Sequence, residues 1–110
     1  MSSGELPGVA VTDVDPAAAV LDVREDDEWA AGHIDGAVHI PMGEVTARLG
    51  EIEAGQPVAV VCRSGGRSAQ VTAYLVGNGI EARNVVGGMQ AWQAAGRPMI
   101  AAGAGPPAVI

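Results

Sequence analysis

The chain has no phenylalanine and no lysine, and only one cysteine and two histidines in 110 residues. Each scarcity excludes something. With aromatic residues at 3%, the interior must be assembled from Ala, Val, Ile and Leu, and Trp29 and Trp92 are expected to pack in the core as its main aromatic bulk. A single cysteine rules out an intramolecular disulfide and fits a reducing compartment. No His, Cys or carboxylate cluster shows ligand spacing, so no metal site is expected. A net charge of −7 argues against nucleic acid or an anionic membrane as partner. No stretch approaches the length of a membrane span, and the N-terminus lacks the basic-then-apolar pattern of a signal peptide. The expected location is the cytoplasm. The length fits one domain, residues 1–110, with a core over about residues 9–98 and terminal extensions at 1–8 and 99–110.

What is present is concentrated at Val58-Ala59-Val60-Val61-Cys62-Arg63-Ser64-Gly65-Gly66-Arg67-Ser68. A continuous apolar run reads as a central parallel strand covered on both faces. It stops at the only cysteine, and a polar loop leads into a helix. Gly65 and Gly66 permit backbone angles that let amides converge on one point, and the helix start adds its positive dipole end there. Arg63 and Arg67 add formal charge. All of these favour thiolate over thiol, and the thiolate is the nucleophile. A lone cysteine is more often an inert core residue. Two arginines beside a buried inert position would be costly, however, so Cys62 reads as a catalytic nucleophile in an anion-binding loop.

Around that stretch the chain alternates strand and helix. Val9 to Val11 suggest a short edge strand, and Pro16 suits the start of a helical turn across the alanines. Val20 to Val23 form the next strand, with Asp22 needing Arg24 as a structural partner if buried. Glu25 to Glu28 open a short, solvated helix that ends at Gly32, with Trp29 and Ala30 facing inward. Ala37 to Ile40 form a short strand closed by Pro41. Met42, Val45, Leu49 and Ile52 show helical spacing. Ser68 to Val76 form a helix with Val71, Leu75 and Tyr74 inward, stopped at Gly77-Asn78-Gly79. Arg83 to Val86 form the last strand, and Met89 to Ala95 the last helix. Gly87-Gly88 reads as a turn, since no GxGxxG follows. His33 and His39 sit in structural positions and are not expected to act as bases. Short connections between alternating elements imply an α/β domain with a mainly parallel sheet. Ligands bind such sheets at the carboxyl ends of the strands, which is where Cys62 falls.

Four segments, taken together and in order, resemble a single-domain rhodanese, a sulfurtransferase. They are Leu21-Asp22-Val23-Arg24-Glu25 with Glu28-Trp29; Gly32-His33-Ile34-Asp35-Gly36-Ala37-Val38-His39-Ile40-Pro41; the CRSGGRS loop; and Val86-Gly87-Gly88-Met89-Gln90-Ala91-Trp92 with Gly96 and Pro98. The resemblance implies a five-stranded parallel sheet with helices on both faces, and a cysteine that alternates between thiolate and persulfide. It implies that Cys62 takes the outer sulfur of thiosulfate and passes it to cyanide, a small thiol or a protein thiol. The amides of Arg63, Ser64, Gly65, Gly66, Arg67 and Ser68 would hold the sulfur, and Arg63 and Arg67 would attract the dianionic donor. No metal or organic cofactor is implied. The segment before Val20 is short for that family, so its first helix is expected to be reduced or missing, and residues 99–110 carry no recognisable motif.

Two other functions share this loop chemistry. Phosphatases and arsenate reductases use a C-x5-R cradle, but here Arg67 follows Cys62 after four residues and the C-x5-R position is Ser68. The smaller loop suits one sulfur atom better than a phosphoryl group. A persulfide carrier that delivers sulfur to a partner protein would need the same loop, and a chain with no second cysteine must in either case release its sulfur to an external acceptor.

Overall fold

The computed structural model describes residues 6–52 and 55–110; the expected N-terminal extension, residues 1–8, falls largely outside them. Five strands form one sheet in the order β1-β5-β4-β2-β3, every pairing parallel. They are β1 (Gly8–Ala10), β2 (Ala19–Asp22), β3 (Val38–His39), β4 (Val58–Val61) and β5 (Ala82–Val86). Three α-helices connect and cover them: α1 (Asp26–Ala31), α2 (Gly66–Gly77) and α3 (Gly88–Ala94).

The apolar run is the central strand because every side chain in it has a buried place to go. All four residues of β4 are buried, and their alternation splits the core in two. Val58, Val60 and Cys62 join Val71 and Leu75 of α2 on one face. Ala59 and Val61 join Met89 and Trp92 of α3 on the other. A strand that is apolar on both sides gains burial on both, which is why periodicity two disappears from its sequence.

This topology creates the site. From the carboxyl end of β2 the chain leaves through α1 toward β3; from that of β4 it leaves through α2 toward β5 on the other side. Connections that part in opposite directions leave a crevice between the two strand ends.

Several expectations are corrected. Met42 to Ile52 is not one helix: it forms two separate 3₁₀ turns, Met42–Glu44 and Leu49–Glu51. Gly43 and Gly50 weaken helix propensity there, and Arg48 ties the turns together by pairing with Glu44 and Glu51 at 3.0 and 2.8 Å. The helical spacing therefore reported inward-facing positions, not helix type. Tyr74 is 37% exposed rather than inward, since Thr72 takes the buried position beside Val71 and Leu75. Ala30 is exposed and Trp29 only half-buried. The reduced first helix is as expected: between β1 and β2 the chain makes a 3₁₀ turn, Val11–Asp13, and no α-helix.

The tail that carried no motif docks on α1. Ile100 exchanges backbone hydrogen bonds with His33 at 2.8 Å each way, and the amides of Ala102 and Ala108 donate to the carbonyls of Ala30 and Ala31. Gly32 makes the approach possible: a Cβ there would lie 2.8 Å from the Ala108 nitrogen.

Candidate active site

Cys62 is the first residue beyond β4, and its side chain is 1% exposed. Its sulfur accepts the Gly65 amide at 3.1 Å and faces the Ser68 hydroxyl at 3.3 Å. Burial pushes the thiol pKa up, but the Ser68 hydroxyl and the amides of Ser68, Gly65 and Ser64 outweigh it, and the net shift is downward. Four converging donors around one sulfur select the charged form over the neutral one.

The convergence is enforced from behind the loop. The α3 amides of Met89 and Gln90 donate to the carbonyls of Cys62 and Arg63 at 2.8 and 3.0 Å. In a trans peptide the N–H points opposite to the C=O of the same unit. Pinning the Arg63 carbonyl toward α3 therefore turns the Ser64 amide the other way, to the face that carries the sulfur. This contact requires Gly88, whose φ is +58° and whose Cβ would lie 2.7 Å from the Arg63 carbonyl oxygen. What reads in sequence as a plain turn at Gly87-Gly88 is the clamp that shapes the loop. Gly65 closes the ring at φ +109°, a value open to glycine, and Gly66 begins α2.

Asn84 belongs to the site and is not singled out by the sequence reading. Its side-chain oxygen lies 2.6 Å from the Ser68 hydroxyl, and its amide nitrogen donates to the Gly65 carbonyl at 3.3 Å. It thereby braces the two loop residues that contact the sulfur. The available signal was a polar residue in the middle of a strand, which demands a buried partner.

The two loop arginines have different surroundings. Arg63 is exposed, and among the described residues its guanidinium has no ion-pair or hydrogen-bond partner. Arg67 is engaged by Glu28 of α1 in a two-pronged pair, Nη1 to Oε1 at 2.8 Å and Nη2 to Oε2 at 2.9 Å. Glu28 also accepts the Glu25 amide at 3.0 Å. Held chiefly by Arg67, against a smaller burial effect, its carboxyl is lowered to about 2. The expectation that Glu25 to Glu28 form a solvated helix start is thus corrected for Glu28, whose side chain is only 13% exposed. Ser64 is exposed at the rim, and Ser68 is fully buried.

Asp22 and Arg24 form the expected structural pair. Both are fully buried, Arg24 Nη2 lying 2.7 Å from Asp22 Oδ2 and donating also to the Gly32 carbonyl at 2.7 Å. They fix α1, and with it Glu28, against the end of β2. Trp29 is not a core residue: its indole stacks with the rings of His33 and His39, centroids 3.6 and 4.7 Å apart. Each histidine spends one ring nitrogen on a backbone carbonyl, His33 on Trp29 and His39 on Arg24. Neither is among the groups that contact the Cys62 sulfur. Among the described residues, no group of three or more His, Cys, Asp or Glu is placed to hold a metal ion, and no helix is long and apolar enough to cross a membrane.

The chain is similar to proteins already known. The family model for the rhodanese-like domain matches residues 11–95. YtwF of Bacillus subtilis is 40% identical over 86 residues, which cover 78% of this chain and 84% of YtwF. The thiosulfate sulfurtransferase GlpE of Pseudomonas putida is 38% identical over 78 residues, 70% of this chain and 71% of GlpE. The crystal structure of a rhodanese-related protein from Thermoplasma volcanium superposes with a TM-score of 0.82 at 32% identity, over 86% of this chain and 97% of that one. The family model spans most of the chain, and the chain is therefore a member of the rhodanese-like domain family.

Proposed function

We propose that this chain is a sulfurtransferase that carries sulfane sulfur on Cys62, taking it from thiosulfate or a similar donor and passing it to cyanide or a thiol. The observation that carries the reading is the set of donors converging on the Cys62 sulfur. In the first step the thiolate attacks the outer sulfur of thiosulfate. A Cys62 sulfur–sulfur bond forms, the donor's own sulfur–sulfur bond breaks, and sulfite leaves with the electron pair. In the second, cyanide attacks the outer sulfur of the persulfide; thiocyanate leaves and the thiolate returns. This is covalent catalysis by an activated nucleophile, and the same amides that hold the thiolate would hold the terminal sulfur of the persulfide.

The geometry disfavours phosphoryl chemistry. The C-x5-R position is Ser68, whose hydroxyl faces the sulfur, while the Arg67 guanidinium is held by Glu28. The loop arginine nearest the C-x5-R position is thus committed to a carboxylate instead of phosphoryl oxygens. A carrier that hands its sulfur to a partner protein differs only in the acceptor, since the single cysteine cannot resolve its own persulfide. A reducing compartment such as the cytoplasm suits both.

Intact mass after incubation with thiosulfate, and again after cyanide, tests the reading. The expected result is a gain of one sulfur atom on Cys62, lost with release of thiocyanate, and no gain in Cys62→Ser. A folded, reduced protein that takes no sulfur, or a Cys62→Ser variant that turns over like the wild type, overturns it.

A further inference from the structure

The pairing of Arg67 with Glu28 changes the charge that a donor meets. The loop carries two formal cations, and one of them is committed. The commitment is built in: both guanidinium nitrogens face both carboxylate oxygens at 2.8 and 2.9 Å, and the Glu25 amide holds the carboxylate from behind at 3.0 Å. Position 28 lies in the first turn of α1, which the Asp22–Arg24 pair anchors through the Gly32 carbonyl. With its pKa at about 2, Glu28 is charged throughout the neutral range. The same turn carries Asp26 and Asp27, with Glu25 just before it, all three exposed. Among the described residues, an approaching anion therefore meets one uncompensated loop cation, Arg63, along with a neutralised pair and an acidic turn.

We infer that Glu28 is a specificity residue that sets donor charge: by occupying Arg67 it biases the site toward singly charged sulfane-sulfur anions and against dianions such as thiosulfate. The inference rests on the sulfurtransferase reading and refines its donor class. Two donors isolate the effect. Thiosulfate carries two negative charges and releases sulfite; methanethiosulfonate carries one, offers the same terminal sulfur and releases methanesulfinate. In both, the Cys62 thiolate gains that sulfur and the leaving group departs with the electron pair; the leaving groups differ in basicity, so the ratio of variant to wild type for each donor is what isolates the charge. A unit charge acting through water over several ångströms changes affinity by about threefold per unit of ligand charge, so the effect on a dianion is about the square of that on a monoanion.

The test compares sulfur loading of Cys62 by each donor, without acceptor, in the wild type and in Glu28→Gln. Glutamine keeps an oxygen for the Glu25 amide but removes the charge. The expected second-order loading rate rises about tenfold for thiosulfate and about threefold for methanethiosulfonate. The gain appears in the half-saturating donor concentration rather than in the maximal rate, and it shrinks in high salt. A variant that changes both donors equally, or changes neither, or acts on the maximal rate alone, refutes the charge assignment while leaving sulfur transfer intact. A wild type loaded by neither donor refutes the sulfurtransferase reading itself. Arg67→Gln is the second arm: it leaves Glu28 uncompensated and slows loading, thiosulfate more than methanethiosulfonate. The opposite order overturns the inference independently of Glu28→Gln.

Discussion

Removing the Ser68 hydroxyl tests whether the loop's donors set the thiolate. Ser68 lies 3.3 Å from the Cys62 sulfur and 2.6 Å from the Asn84 side-chain oxygen, and it has one proton to give. A hydrogen bond to a charged acceptor contributes about 1.5–3 kcal/mol. Because the proton is shared with Asn84, about half of that reaches the sulfur, or about one pKa unit. The folded thiol is depressed by its donors, so losing one of them raises it. In Ser68→Ala the thiolate titration should move up by about one unit. Below both pKa values the thiolate population, and with it the rate of sulfur loading, should fall about tenfold, and the two proteins should converge at high pH. The chain has a single cysteine, so ultraviolet absorbance of the thiolate, referenced to Cys62→Ser, reads one group. The substitution also leaves the half-buried Asn84 oxygen without its partner, which should cost about 1–2 kcal/mol in urea denaturation. A folded Ser68→Ala whose thiol titrates at or below the wild-type value would refute the account, and would shift the depression onto the amides of Gly65 and Ser64.

Two further outcomes follow from the packing. Gly88→Ala should cost about 3 kcal/mol or more, because both its φ of +58° and the backbone of Cys62 and Arg63 oppose a Cβ. Gly96→Ala, at φ +70° with nothing within 4 Å, should cost about 1 kcal/mol; equal losses by urea denaturation would contradict the clamp. The Glu28–Arg67 pair should stabilise the fold in a pH-dependent way. Glu28 falls from an ordinary 4.5 to about 2 on folding, so its contribution is present above about pH 5 and is lost as pH falls toward 2. The stability of wild type minus that of Glu28→Gln should therefore shrink over that window, from about 1–2 kcal/mol after allowance for partial exposure; a difference flat with pH would exclude the ion pair as its source.

Local chemistry made much of this protein legible without coordinates. A strand at Val20–Val23 that is apolar except for Asp22 and the apolar run at Val58–Val61, with glycine breaks after each helix, are enough for a parallel α/β sheet, because strand burial and helix termination act within a few residues. The reactive loop was readable for the same reason: Cys62, the glycines and Ser68 are neighbours in the chain, and their backbone geometry is local. What needed tertiary structure was every property that depends on which distant residue comes near. Arg63 and Arg67 look alike in sequence, yet only Arg67 meets Glu28, 39 positions away. Asn84 enters the site because β5 lies beside β4 in register. Gly88 is a clamp because α3 starts against the back of the loop. The apolar spacing of Met42 to Ile52 stated which side chains turn inward but not how the backbone gets them there. Trp29 is as apolar as Trp92, but it lies on α1 at the carboxyl end of the sheet, where two histidines take the place of a core. Identity along the chain fixes what a residue can do; the fold decides the partner, and with it the charge that the residue presents.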